Sequence, residues 1–289
     1  MQRPGVFNWE NRETQGEEER GIAINQGEWG ACGIFFVSLQ KRVGGKHRHS
    51  GFSLIIFYPQ LMKIILNPKY EHLRSYLTHL EEHFEREGKE IFRDRNILRT
   101  LQVGDLTLCV KKYALPSLSG RVAQRIYKSS KGKKAYFHPL ELRERGFESP
   151  EPVAFVRYNK GLLRSESYFV CLHSSYRYNM LDALTLPYDE RTEVVHHFAA
   201  FAARLHEGGF LHRDFSSGNV LFDNIDGRYH FALIDTNSMY IGRPVSVEKG
   251  CENLLQLSGD DEFFTQLARE YAIARNAAPE RCLEILKTH

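Results

Sequence analysis

Three side chains in the second half of the sequence have the types and the spacing that phosphoryl transfer requires. Asp214 stands in the segment His212-Arg213-Asp214, Asn219 follows five residues later, and Asp235 comes after an apolar run. In phosphoryl transfer a carboxylate orients the attacking hydroxyl and accepts its proton, while oxygen ligands hold magnesium against the phosphate oxygens. We therefore predict that Asp214 orients the hydroxyl and accepts its proton, and that Asn219 and Asp235 coordinate the metal.

The elements around these residues would bring them to one cleft. A turn containing glycine separates the first aspartate from the asparagine, and predicted strands at Val220–Phe222 and Tyr229–Ile234 form a hairpin that returns Asp235 beside them. This order matches the catalytic loop and the metal-binding aspartate of protein kinases. We expect His212 to support the loop, because a single histidine is more often structural than catalytic.

The same pattern predicts a lysine on an earlier strand, and Lys111 fits it. In the strand predicted over Leu106–Lys112, side-chain alternation places Thr107, Cys109 and Lys111 on one face. Lys111 would then reach the α- and β-phosphates of ATP, with Cys109 lining the adenine pocket. A shift of one residue in the register would put Lys112 in its place.

The periodicity of the sequence from Met62 onwards predicts a β-rich region followed by a helical one. A hairpin around Gly104-Asp105, strands at Val153–Arg157 and Tyr168–Leu172, and helices near Leu73–Leu80 and Lys133–Arg145 make up the first region. A helix starting near Asp189 and two short C-terminal helices dominate the second. We predict an α+β, protein-kinase-like fold with two lobes: a small β-rich N-lobe at residues 62–173 and a helical C-lobe at residues 174–289.

Residues 1–61 differ in character from the rest of the chain. They hold nine of the 22 glycines and both tryptophans, and their apolar residues occur in short bursts without a helical or strand period. A functional extension that touches a membrane through Leu54–Tyr58 is one interpretation. We favour the other, an N-terminal extension that is poorly ordered or is a non-native leader translated from upstream of Met62.

Composition narrows the class of protein. A net charge of +3 excludes a broadly basic nucleic-acid-binding protein, and no run of about 18 apolar residues predicts a spanning helix. The five cysteines are scattered without a CxxC pair, which argues against a zinc site and suits a reducing compartment. The first twenty residues lack a secretory pattern, so we expect a cytoplasmic protein. From the mild net charge we expect no nucleic-acid partner.

Several segments resemble one family, the bacterial lipopolysaccharide core kinases of the Kdo/WaaP family. These are LHEGGFLHRDFSSGNVLF, ALIDTNSMYIG, MKIILNPKYEHL, VKKY, GFESPEPVAFV and GDDEFFTQLAREYAIAR, and they extend from Met62 to the C-terminus. The resemblance implies a kinase that uses ATP and Mg²⁺ to phosphorylate a Kdo or heptose hydroxyl of the lipid A–core glycolipid, at the cytoplasmic face of the inner membrane. It also implies that Asp214 is the catalytic aspartate, Asn219 and Asp235 the metal ligands, and Lys111 the phosphate-binding lysine.

The sequence departs from conventional protein kinases in ways that bear on function. Thr236-Asn237 follows Asp235 in place of Phe-Gly, and no Ala-Pro-Glu comes after it, which argues against a regulated protein kinase. No glycine-rich loop covers the phosphates. For the glutamate that pairs with Lys111, Glu141 is our candidate in preference to Glu144.

A basic run at residues 121–134 has two interpretations. It is either a solvated charged face or a surface that docks on anionic lipid at the inner membrane.

Three alternatives to the sugar kinase remain open from the sequence. A protein Ser/Thr/Tyr kinase or a small-molecule phosphotransferase would use the same fold, an inactive kinase-like module would bind without turnover, and a helical interaction protein would carry the motif by chance. The sequence does not specify an oligomeric state.

Overall fold

A computed structural model describes the backbone of residues 20–29, 32–43, 46–55, 61–114, 131–159 and 165–287, and the side chains of residues 62–114, 132–159 and 166–287. The chain divides into two compact units, Met1–Leu61 and Met62–His289. In the first unit, strands β1 (Arg20–Trp29), β2 (Cys32–Val43) and β3 (Lys46–Ile55) form an antiparallel sheet in that order. Our interpretation of residues 1–61 as a poorly ordered or non-native extension stays a prediction.

The second unit begins with a six-stranded sheet. Its strands are β4 (Leu61–Leu66), β5 (Lys89–Arg93), β6 (Ile97–Val103), β7 (Leu106–Lys112), β8 (Pro152–Asn159) and β9 (Ser165–Leu172), in the spatial order β4-β8-β9-β7-β6-β5. The predicted hairpin around Gly104-Asp105 is confirmed, with Val103 opposite Leu106 and Ile97 opposite Lys112. Gly104 adopts φ +59° in the turn, a conformation that glycine takes without steric cost.

Helices cover one face of this sheet. A 3₁₀ turn at Pro68–Leu73 leads into α1 (Arg74–Thr78) and α2 (Leu80–Arg86). Leu73, Leu77 and Leu80, spaced i, i+4 and i+7 in the predicted helical segment, are buried in one cluster with Leu108 and Val110 of β7. The opposite face of β7 therefore carries Cys109 and Lys111, as alternation predicts.

The described residues between β7 and β8 include a long helix. Helix α3 (Lys131–Glu144) agrees with the helix predicted over 133–145, and it contains Pro139. Gly146, just beyond its end, has φ +78° and begins the connection to β8.

The remainder of the second unit is mainly helical. Its helices are α4 (Tyr188–Glu207), α5 (Val247–Leu254), α6 (Asp261–Ala274) and α7 (Pro279–Leu286). Two small sheets, β10-β12-β13 and β11-β14, consist of β10 (Tyr178–Asn179), β11 (Phe210–Leu211), β12 (Val220–Ile225), β13 (Arg228–Leu233) and β14 (Tyr240–Ile241). Within the part of the chain that the structure describes, no helix is long and apolar enough to cross a membrane.

Two hydrophobic cores give this unit its α+β, two-lobed character. One core joins the six-stranded sheet to α1 and α2, and the other joins α4 to the C-terminal helices. Leu142 and Phe147, from the end of α3 and the residues after it, belong to the second core. The boundary that we placed between residues 173 and 174 stays a prediction.

Candidate active site

An ion pair joins the β-rich lobe to the helical lobe. The Lys111 ammonium on β7 lies 2.7 Å from a carboxylate oxygen (Oδ2) of Asp235, which follows β13. The exposed fractions of the two side chains are 13% and 30%. Solvent and salt therefore screen this pair less than they screen ion pairs on the surface. Two residues that are 124 positions apart in the sequence thus meet in one cleft.

The backbone of Asp235 has the left-handed conformation, with φ +53° and ψ +41°. This conformation costs energy for a residue with a side chain, and such residues concentrate at functional sites. A 3₁₀ turn at Thr236–Ser238 follows directly, and the Asn237 side-chain amide donates a hydrogen bond to the second carboxylate oxygen of Asp235. The turn thereby fixes the direction of the carboxylate.

Two hydrogen bonds attach Asn219 to the other site residues. Its side-chain nitrogen donates to the backbone carbonyl of Asp214 at 2.9 Å. Its backbone carbonyl accepts from the backbone N–H of Ile234 at 3.0 Å. The first bond closes the loop between Asp214 and Asn219, and the second fixes that loop beside Asp235. Because its nitrogen is engaged, the side-chain oxygen of Asn219 is the atom that can accept or coordinate.

His212 supports this loop through both ring nitrogens. Nε2–H donates to the Ile234 carbonyl at 2.9 Å, and Nδ1 accepts from the backbone N–H of Asp214 at 3.2 Å. The ring is buried, and burial lowers its pKa, which favours the neutral imidazole that this pattern requires. His212 thus holds the backbone at Asp214 and Asp235 in register.

A chain of buried polar groups fixes the loop from behind. The Asn253 amide donates to the His212 carbonyl at 2.9 Å, and the side-chain oxygen of Asn253 accepts from Nε2 of His206 at 3.2 Å. The Tyr271 hydroxyl lies 2.8 Å from Nδ1 of His206 and accepts from Arg275 at 2.6 Å. Burial lowers the pKa of His206 to about 4. Sequence reasoning missed this chain, whose members lie on three different helices or just beyond them.

The expected partnership between Glu141 and Lys111 is not formed in this structure. The Glu141 carboxylate pairs with Arg145, four residues further along the chain and just beyond the end of α3. Helix α3 instead presents His138 to the site, and its Nδ1 lies 2.6 Å from the Thr236 carbonyl.

Lys112, the alternative phosphate lysine, lies on the other face of β7. Its ammonium is 2.7 Å from the Glu85 carboxylate, among the side chains that α2 packs onto the sheet. Cys109 stands opposite Cys171 on β9, on the same face as Lys111. The register therefore gives Lys111, and not Lys112, access to the cleft.

The donor set fits magnesium bound together with a nucleotide. One carboxylate, from Asp235, and one amide oxygen, from Asn219, are the hard oxygen ligands that this ion prefers. Among the residues that the structure describes, no cluster of three or more His, Cys, Asp or Glu side chains could hold a metal. A magnesium ion here would take its remaining ligands from phosphate oxygens and water.

The similarity of this chain to known proteins is found in structure and not in sequence. No family model matches the chain, and no curated protein matches its sequence. The solved structure described as "WaaP in complex with acyl carrier protein" is similar, with 15% sequence identity over 78% of this chain and 99% of that chain, and a TM-score of 0.48. WaaP gives its name to the family that the sequence segments resemble.

Proposed function

We propose that this chain is a kinase that transfers the γ-phosphate of ATP to a sugar hydroxyl, of Kdo or heptose, in the lipopolysaccharide inner core. The observation that carries the kinase part is the 2.7 Å ion pair between Lys111 and Asp235, with Asp214 and Asn219 bonded into the same loop. The acceptor part is supported by the sequence segments that resemble the lipopolysaccharide core kinases.

Each side chain has a defined task in this proposal. Asp214, exposed at the cleft, accepts the proton of the acceptor hydroxyl and orients its oxygen for attack. Lys111 binds the α- and β-phosphates, and Asp235 and Asn219 hold magnesium. A bound magnesium ion supplies charge neutralisation at the phosphate oxygens. His212 and Asn253 keep the loop in place without touching the reacting atoms.

The proposal includes a location. We infer that the protein associates with the cytoplasmic face of the inner membrane, where the lipid A–core glycolipid would be its substrate, through the basic run 121–134. Residues 121–130 of that run lie outside the described residues, and Lys133 and Lys134 lie on α3.

Transfer of the γ-phosphate from ATP to purified Kdo-lipid A and to heptosylated core tests the proposal. We expect transfer to one of these acceptors, magnesium dependence, and a loss of at least about a hundredfold in Asp214→Asn, because the general base is removed. Asp226→Asn is the matched control. Asp226 is an exposed aspartate in the β12–β13 turn with φ +53°, a conformation that asparagine tolerates.

The other outcomes identify the alternatives. Transfer to a protein or to a small molecule, with none to either glycolipid, would assign the chain to the protein kinases or small-molecule phosphotransferases. Nucleotide binding without turnover on any acceptor would identify an inactive kinase-like module. Activity that survives in Asp214→Asn would contradict the role of that carboxylate.

A further inference from the structure

A cavity lies beside the candidate active site, between helix α3 and the segment after Asp235. Its volume is about 560 Å³, within the range of small-molecule sites. Helix α3 forms one wall, and Arg213 with the segment after Asp235 forms the other. The residues that line it are Lys134, His138, Glu141, Arg213, Asn237, Ser238, Met239, Tyr240 and Ile241.

The positive charges in this cavity are not neutralised. Neither Lys134 nor Arg213 forms an ion pair or hydrogen bond with another residue in the described part of the chain, and both side chains are exposed. The one carboxylate in the lining, that of Glu141, is paired with Arg145. An ammonium and a guanidinium without partners, in a concave site, are suited to bind an anionic group.

The walls of the cavity are the direct neighbours of the site residues. Arg213 precedes Asp214 in the chain, and Asn237 donates to the carboxylate of Asp235. His138 lines the cavity, and its Nδ1 lies 2.6 Å from the carbonyl oxygen of Thr236. A molecule bound here would therefore contact the two segments that position the catalytic aspartate and the metal-binding aspartate.

We propose that this cavity, defined by Lys134 and Arg213, binds an anionic group, a phosphate or a carboxylate, carried by the sugar acceptor. This inference rests on the proposed function and adds a specificity determinant to it. The volume is far greater than one phosphate requires, and it accommodates a sugar ring that bears such a group. Arg213 supplies a planar pair of donors for two oxygens of the anion, and Lys134 supplies a point charge.

Binding of inorganic phosphate, measured by calorimetry on the full chain, tests the site without any turnover. We expect one binding event that persists in Lys111→Met and weakens at least about tenfold in Lys134→Ala and in Arg213→Ala. Lys133→Ala is the matched control, because Lys133 lies next to Lys134 on α3 but does not line the cavity. Its phosphate affinity should equal that of the unmodified protein.

Each contrary result overturns the proposal. Absence of phosphate binding in the unmodified protein, or equal binding in Lys134→Ala, would show that the cavity does not hold anions. If phosphate binding disappears in Lys111→Met but persists in Lys134→Ala and Arg213→Ala, the phosphate binds at the nucleotide site. Because Lys134 is exposed, Lys134→Ala should fold normally. Lys134→Arg should retain phosphate binding, because it keeps the positive charge.

Kinetics separate this proposal from the proposed function. With an active acceptor, Lys134→Ala should raise the KM for that acceptor about tenfold and leave the KM for ATP unchanged. An acceptor that lacks the anionic group should lose this difference between the variant and the unmodified protein. If no lipopolysaccharide acceptor is phosphorylated but phosphate binding depends on Lys134, the acceptor assignment fails while the anion site stands. If Lys134→Ala weakens the binding of free phosphate but leaves the acceptor KM unchanged, the cavity binds free phosphate, and its role in acceptor recognition is overturned.

Discussion

At the scale of single residues, the central observation is which partner Lys111 takes. The sequence predicted that Lys111 and Asp235 belong to one site, because each stands at the expected place relative to a strand. It did not predict that they bond directly, and it offered Glu141 as the partner instead. A helix places its side chains about every 100° around its axis, so the partner depends on a rotation that tertiary packing sets. The Glu141 carboxylate instead pairs with Arg145, four residues further along the chain, which is a local contact.

A double-mutant cycle measures the Lys111–Asp235 pair. We expect Lys111→Met and Asp235→Asn to show a coupling energy of about 1–2 kcal/mol in urea unfolding, because the pair is largely shielded from solvent. The exposed pair Lys249–Glu252, with exposed fractions of 61% and 52%, is the control and should give less than about 0.5 kcal/mol. Equal coupling in the two cycles would show that the Lys111–Asp235 pair is not formed as described.

At the scale of elements, local patterns predicted what local sequence controls. The β6–β7 hairpin and the buried leucines at positions 73, 77 and 80 follow from alternation, turn residues and helical spacing. Helix α5 was missed, because its eight residues, VEKGCENL, are mostly charged or small. Its contribution is tertiary: Gly250 leaves room for Tyr271 and His206, where a Cβ would meet the tyrosine oxygen at 1.9 Å. No spacing in the sequence indicates that Asn253 will bond the carbonyl of His212.

The buried His206, which joins α4 to α5 and α6, makes the free energy of unfolding depend on pH. Burial lowers its pKa from 6.5 to about 4, with the positive charge of Arg275 acting in the same direction. Between these values the unfolded chain binds a proton that the folded chain does not, so the free energy of unfolding falls as the pH falls from about 6.5 to about 4. The full effect is about 3 kcal/mol, reached below pH 4.

Urea unfolding of His206→Gln at pH 7 and at pH 4.5 checks this prediction. The variant should be less stable than the unmodified protein at pH 7, because it loses the bonds to Asn253 and Tyr271. It should also lose less stability on acidification. His197→Gln, an exposed position on the same helix, controls for the removal of an imidazole. An equal loss of stability in His206→Gln and the unmodified protein would show that His206 does not account for the acid sensitivity.

At the scale of the whole molecule, the order of predicted elements was enough to predict an α+β, two-lobed layout, and the structure has it. The sequence did not predict which residues pack in each core. Leu142 and Phe147 lie in sequence with the β-rich region but pack into the helical core, because the end of α3 crosses to it. The cavity beside Asp235 likewise arises where α3 meets the segment after β13. Such features depend on how distant segments pack, and no local period encodes them.

The charge of the chain adds a prediction about the molecule as a whole, its docking on anionic lipid. Each lysine near such a surface contributes about 1 kcal/mol, so Lys131→Glu with Lys133→Glu should weaken binding to phosphatidylglycerol vesicles at least tenfold in a sedimentation assay. Lys134 is left unchanged because it lines the cavity. The control, Lys249→Glu with Lys287→Glu, alters net charge equally at exposed positions of the helical lobe. Equal weakening in both double variants would mean that net charge, and not the basic run, drives the binding. If neither variant weakens it, the run is a solvated face and the docking proposal fails.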